Sequence, residues 1–534
     1  MPFRLPRPTL AYAAALAALF LGTAYLRFMM LGTGFTNDHF LHLANAQQML
    51  LGEWPTRDFL DPGLPLMYAT SALAQMVLGR TLLAEGVLVS LTFAGAAVLT
   101  AMAVRELTGS RVLALVAAVL EVAIVPRAYG YPKLLLYAAA FFLLQHYVTR
   151  PTTGRLLAFA AMVPIAFLFR HDHGVNLGAA GALTMWLANG PDGRPGGLRR
   201  SATFLAIVVA FTIPYIVYVQ INGGLWSYVQ VGLEFRRVEM TRQAFASPSF
   251  QERFYEAALF YGYWALPIAA VLTVFARVRR DDFRTIAARL APIATVAVLV
   301  NWTFLRDPLT GRLQDAIVPA VTLGAWLTSC AWRSHYRWAW GPLTVLLLVT
   351  FAKAVVEVGG TLDQLARAGL LDSWNRWPAM GDVASRLSAP NSPRVLPSRP
   401  SAALLPFYPY VRRCTTPEQR LLVIGNATEV LFFAQRGFAG RQAAFVQGYY
   451  ESEPYQRSVL STLAAQMVPF VVIPGRSYTG DYGAVFPLLA RYIRDRYVPL
   501  AQFGDPDTGA EVLIDRTVPV RGRDPETGWP CPTQ

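Results

Sequence analysis

Charge is scarce in this chain. Asp, Glu, Lys and Arg make up only 15% of its 534 residues, too little to coat a soluble protein of that length. Acidic charge is the scarcer half, with 33 Asp and Glu against 47 Lys and Arg and a formal net charge of +14. Cysteine is nearly missing. Cys330, Cys414 and Cys531 are the 3 present, and their spacing fits no zinc pattern. No A-x-A-like cleavage site follows the first apolar run, which argues against a cleaved signal peptide. No internal repeat of solenoid type is visible.

What the chain has in abundance is apolar surface, at 54% hydrophobic and 12% aromatic residues. That is the composition of a polytopic membrane protein. The basic excess then belongs to short cytoplasmic loops and anionic lipid, and nucleic acid is not expected as a partner.

The run from Leu10 to Leu31 follows Arg4 and Arg7 and, at about 22 residues, is long enough to span. It reads as a retained first helix with a cytoplasmic N-terminus. Further spans are predicted over Leu82 to Val104, Arg111 to Val125, Lys133 to Val148, Leu156 to Phe169, Val175 to Ala188 and Phe204 to Ile221. Four more follow, at Ala257 to Val278, Ala288 to Phe304, Ala316 to Ala331 and Trp338 to Val356, giving about 11 transmembrane helices in all. The stretch from Leu64 to Gly79 is ambiguous because it is short and opens at Pro65. If it lies on the outer surface without crossing, the loops at Arg105/Arg111, Arg150/Arg155, Arg194/Arg199/Arg200, Arg277/Arg279/Arg280/Arg284 and Arg333/Arg337 are all cytoplasmic. If it crosses, every one of them flips outside. The positive-inside rule therefore places Leu64 to Gly79 on the outer surface, together with Arg127 to Lys133, Arg170 to Gly174, the long segment Asn222 to Tyr255, Trp302 to Asp315 and everything after Val356.

After Gly359 the apolar runs shorten to strand length, and Pro390 to Pro406 is a Pro/Ser-rich linker. Leu421 to Ile424, Val468 to Ile473 and Val512 to Ile514 are expected as buried strands, with Glu429 to Gln435 and Phe486 to Arg496 helical. The expected organisation is a membrane body over 1–356 with an outer loop at 32–80, a linker over 357–406, and a small C-terminal outer-face α/β domain over 407–534. Cys414 and Cys531 both fall in that domain, where an oxidising compartment would permit a disulfide.

The loop after the first span carries the most chemistry: Thr36-Asn37-Asp38-His39-Phe40, then Gly52, Pro55, Arg57, Asp58 and Phe59, then Pro65, Leu66 and Tyr68. Farther on stands Phe169-Arg170-His171-Asp172-His173-Gly174. In this order, after a single amino-terminal helix, these motifs resemble the GT-C membrane glycosyltransferases, in the branch of protein-mannosyltransferase and aminoarabinose-transferase type. The resemblance covers roughly Leu10 to Val356. It implies transfer of a sugar from a polyprenyl-phosphate donor to a glycan, lipid or protein acceptor on the outer face of the bacterial inner membrane. The family uses a carboxylate in the first outer loop as general base or acceptor-orienting group, and Asp38 is the matching residue. The commonest form has a second acidic residue beside it. Here that position is His39, an orienting or accessory-base candidate.

Elementary chemistry supports the same roles. A sugar hydroxyl is a poor nucleophile and needs a carboxylate to take its proton; the competing role for Asp38 is to cap the helix that follows. A departing lipid phosphate needs fixed cations, and Lys133, Arg127, Arg170 and Arg306 are the candidates, with topology anchoring as the alternative for each. Asp58, Tyr68, Glu85, Tyr131, His171, Asp172 and His173 are candidate substrate contacts. Asp58 and Asp61 also suit a turn before Pro62, Tyr131 an interfacial belt, and Asp172 a helix cap. If a divalent cation such as Mg or Mn binds, Asp38 and Asp172 are its expected carboxylates. A transporter or lipid flippase is the alternative class. It would call for discontinuous helices and charges near the bilayer midplane.

Overall fold

The computed structural model describes residues 10–188, 197–241, 246–276, 283–305, 309–334, 337–372, 377–389 and 398–532. They divide into two compact units. One comprises Met1–Met30, Val87–Tyr215 and Gln243–Pro378; the other comprises Leu31–Gly86, Ile216–Arg242 and Ala379–Gln534. The division differs from the boundaries expected at 356 and 406, because the first loop and the segment from Ile216 join the tail. Most of the Pro/Ser-rich linker, 390–397, lies outside the described residues.

The first unit is helical. Each apolar run predicted as a span coincides with a helix, since a chain without water must satisfy its backbone within its own segment. Among the described residues six are long and apolar enough to cross a membrane: Leu10–Leu31, Leu82–Thr108, Gly197–Asn222, Phe254–Phe275, Phe283–Leu305 and Gly341–Gly359. Thr153–Phe169 and Ile317–Trp332 are apolar but shorter. Caps set several starts. The Ser110 hydroxyl accepts from Leu113 N, and the Thr152 hydroxyl from Arg155 N. Two helices, Thr153–Phe169 and His171–Leu187, are separated by Arg170 alone, which takes an extended conformation. The hairpin closes tightly because residue 174 is glycine: a Cβ there would come within 2.3 Å of Phe167 Cβ and 2.6 Å of its Cα.

In the second unit the helix Asn37–Leu50 packs on the helix Pro65–Leu78. The latter, 14 residues long, extends only about 21 Å, short of a hydrocarbon core of roughly 30 Å. It is two-faced, with Met67, Tyr68, Ser71, Ala72 and Gln75 buried and Leu73, Met76 and Val77 exposed.

The tail contains a four-stranded sheet. Its strands are β1 (Leu421–Val423), β2 (Phe470–Pro474), β3 (Tyr497–Phe503) and β4 (Ala510–Asp515), in the order β1-β2-β4-β3. Only β1 and β2 run parallel. The core beneath joins Leu422, Val471 and Leu513 to Val459 and Leu463 of the helix Glu453–Ala465, and to Leu489 and Ile493 of the helix Pro487–Arg496. Strand β3 and the helix Glu453–Ala465 were not anticipated. Pro499 interrupts the strand signal of β3, and the structure accommodates it at a register shift on the sheet edge, where a missing N–H does no harm. A hairpin of β5 (Val520–Arg523) and β6 (Pro530–Pro532) ends the described chain. A disulfide joins Cys414 to Cys531, with Cα atoms 4.7 Å apart, and Cys330 is not part of a disulfide.

Candidate functional site

In the second unit, Asp38 lies in the first turn of Asn37–Leu50 and is exposed. The capping position belongs to Thr36, so Asp38 is not the cap, although its charge suits a helix N-terminus. His39, next to it, turns inward. It is fully buried, with Nε2 2.8 Å from Glu85 Oε1 and its ring 4.7 Å from that of Phe35. The Ser71 hydroxyl donates to the same Glu85 oxygen at 3.0 Å. His39 and Glu85 are thus partners in the interior, not groups presented at the surface.

The loop between the two helices is held by its own acids. Asp58 Oδ2 accepts from Trp54 N and Arg57 Nε, each at 2.7 Å. Asp61 Oδ1 accepts from Gly63 N and Leu64 N, each at 2.8 Å, at the entry to Pro65–Leu78. These are turn-closing roles. Tyr68 is buried between His42 and Phe59, with ring centroids 6.0 and 6.3 Å away.

In the first unit, one end of the helical body gathers most of the expected cations around a carboxylate that sequence analysis did not single out. Asp315 closes the short helix Leu309–Asp315. Its Oδ2 lies 3.0 Å from Arg127 Nη2 and 3.5 Å from Lys133 Nζ, and Asp315 and Lys133 are both buried. Burial alone would push the Asp315 carboxyl up. The Lys133 ammonium and the Arg127 and Arg312 guanidiniums outweigh it and hold the carboxyl below the usual carboxylate range. Two glycines make room: a Cβ at Gly130 would meet Asp315 Oδ1 at 3.1 Å, and one at Gly311 would meet the Arg127 guanidinium at 3.0 Å.

The second part of this group sits at the Arg170 hairpin. Arg170 Nε lies 3.0 Å from Asp172 Oδ1, and His173 Nδ1 lies 3.2 Å from both that oxygen and the Tyr137 hydroxyl. The Asn176 amide donates to Tyr137 at 3.0 Å. Arg170, Asp172 and Arg312 all act on the Lys133 ammonium through space. Arg127, Lys133, Arg170 and Arg312 thus stand around the two carboxylates of Asp315 and Asp172. The His171 ring stacks on Phe167 at 4.3 Å, and Tyr131 is buried at the start of its helix. Arg306 lies outside the described residues.

Clustered guanidinium and ammonium groups in an apolar body suit an anion. Asp172 Oδ1 lies within ion-pair distance of Arg170 and His173. Among the described residues, Cys414, Asp524 and Cys531 come close enough to share an ion, and the disulfide accounts for two of them.

This helical body with its C-terminal sheet has a counterpart among solved structures. ArnT from Cupriavidus metallidurans bound to undecaprenyl phosphate matches it with a TM-score of 0.52, covering 94% of this chain and 98% of that chain. The fold is ArnT-like. Identity to ArnT is 14% in that comparison, and the apo form of ArnT matches over the same shares of each chain at 13% identity and a TM-score of 0.49. No family model and no curated protein matches the sequence. The likeness to ArnT is one of fold, and it agrees with the GT-C resemblance of the loop motifs. Asp315 escaped sequence analysis because a lone acid at the end of a polar loop has no local signature. Only its packing against Arg127 and Lys133 marks it.

Proposed function

We propose that the chain is a GT-C-type glycosyltransferase, moving a sugar from a polyprenyl-phosphate donor to an acceptor on the outer face of the inner membrane. The observation that carries this reading is the cation-rich group around Asp315 and Lys133 in an apolar helical body. ArnT, which shares the fold, has been solved with undecaprenyl phosphate bound. In this reading Arg127, Lys133 and Arg170 receive the donor phosphate. Asp38, exposed in a first helical turn, takes the proton of the acceptor hydroxyl as its oxygen bonds to the anomeric carbon. The bond from that carbon to the phosphate oxygen breaks, and the lipid phosphate leaves with its electron pair, steadied by the cations. No metal step is invoked. The buried His39–Glu85–Ser71 set supports the helix that presents Asp38. With the 14-residue Pro65–Leu78 helix lying along the outer surface, positive-inside parity puts the N-terminus in the cytoplasm and the C-terminal domain outside.

Asp38→Asn tests the proposal. The substitution keeps the shape of the side chain and deletes the base, so turnover with a polyprenyl-phosphate sugar should fall by about two to four powers of ten while donor binding survives. Undiminished transfer would remove Asp38 from the mechanism. Loss of substrate flux across the membrane with no glycan product from the unsubstituted protein would favour a transporter or flippase.

A further inference from the structure

Arg27 is a guanidinium in the middle of an apolar stretch, Ala24-Tyr25-Leu26-Arg27-Phe28-Met29-Met30, near the end of the first helix. Its surface is 94% covered, with a relative exposure of 6%. A buried charge in such a segment needs partners of its own. Its Nη2 donates to the backbone carbonyl of Pro126 at 2.5 Å, and its guanidinium carbon lies 3.9 Å over the Phe93 ring. Pro126 sits between Val125 and Arg127, and Val125 is the strained point of the turn. Its φ is +44°, a left-handed conformation that a β-branched side chain strongly disfavours and that persists only where surrounding structure enforces it. The same turn is gripped from a third side. The Thr361 hydroxyl donates to Ala123 O, and Gly359 packs so closely that a Cβ there would meet Ile124 O at 2.7 Å and Ala123 O at 2.8 Å.

We infer that Arg27 is a positioning residue for the anion site: by holding the Pro126 carbonyl it keeps the Val125 turn left-handed and aims Arg127 at Asp315. Arg27 does not touch the bound phosphate. The direction of the chain at residues 125–127 sets where the Arg127 guanidinium stands, and Arg127 Nη2 lies 3.0 Å from Asp315 Oδ2. The inference rests on the lipid-phosphate reading for its consequence in binding, but not for its structural core.

The test uses the full chain in lipid nanodiscs. Arg27→Met keeps the apolar volume and removes the donor; Arg27→Lys keeps a cation able to reach a carbonyl. Undecaprenyl phosphate and the uncharged alcohol undecaprenol are titrated against each. Arg27→Met should weaken undecaprenyl phosphate by about tenfold and leave undecaprenol unchanged, and Arg27→Lys should recover part of the loss. Equal weakening of both lipids, or of neither, overturns the inference. If the unsubstituted protein does not prefer the phosphate over the alcohol, the lipid-phosphate reading fails instead, and the positioning role is judged by thermal stability alone. Asp315→Asn should then lower the melting temperature less in the Arg27→Met background than in the unsubstituted chain. Additive shifts would show that Arg27 does not act through the Arg127–Asp315 pair.

Discussion

The Lys133 ammonium stands 3.5 Å from Asp315 Oδ2, a buried ion pair between two residues far apart in sequence. Asp315 pairs with Arg127 and Lys133 together, so its removal takes the carboxylate away from a buried ammonium. Asp315→Asn should destabilise the lipid-free protein by about 3–5 kcal/mol. Saturating undecaprenyl phosphate should return much of that loss, because a bound phosphate supplies the missing negative charge. Thermal unfolding with and without the lipid reads both effects; an equal loss in the two conditions would separate Asp315 from the anion site.

The hairpin that carries Arg170, Asp172 and His173 depends on Gly174. Even one methyl there collides with the Phe167 backbone as well as its side chain. Gly174→Ala should cost about 3 kcal/mol and should reduce donor binding, while Gly178→Ala, whose Cβ would meet only Val163 at 3.7 Å, should change neither. Comparable behaviour of the two variants would mean that the close approach is not what holds the hairpin.

Topology follows from charge parity and can be read with fusions. A reporter at Arg111 should report the cytoplasm and one at Gln534 the outside. Under non-reducing digestion the Cys414 and Cys531 peptides should migrate as one cross-linked species, as expected of a domain that folds where disulfides persist. A reversed fusion pattern would reverse the sidedness of every proposed site residue.

Acid should loosen the end of the tail before its core. The Arg413 guanidinium, helped by the Thr527 hydroxyl and N–H, outweighs burial and holds the Asp524 carboxyl down to about 2. Arg413 reaches both Asp524 oxygens at 3.0 Å. A depressed carboxylate stabilises the fold fully above its unfolded pKa of about 3.9 and loses that contribution as pH falls through the folded value. Hydrogen exchange over 520–532 should therefore accelerate as pH drops from about 4 towards 2, after correction for intrinsic rates. Asp524→Asn should show the faster exchange already at neutral pH. The β1–β2 core should not follow.

The helices of the body were legible in the sequence because each occupies one continuous apolar run, and such a run declares itself residue by residue. The same holds for β1, β2 and β4, each a short buried apolar stretch, and for the polar loops carrying Asp38 and Arg170. What composition and order could not contain is which distant residues meet. His39 looked like a neighbour of Asp38 in function, yet its side chain turns into the interior to pair with Glu85, since a helix sends adjacent side chains to different faces. Strand β3 hid behind Pro499, tolerated only because the strand lies on a sheet edge. Asp315 and Arg27 had no motif at all. Their significance arises from burial beside charges and carbonyls contributed by other helices, and a low-dielectric interior turns such juxtapositions into strong constraints. The helical body, its apolar runs and the loops around the candidate chemistry are written in the order of residues along the chain. Which carboxylate serves which cation depends on packing between helices, and that pairing leaves no trace in the spacing along any one of them.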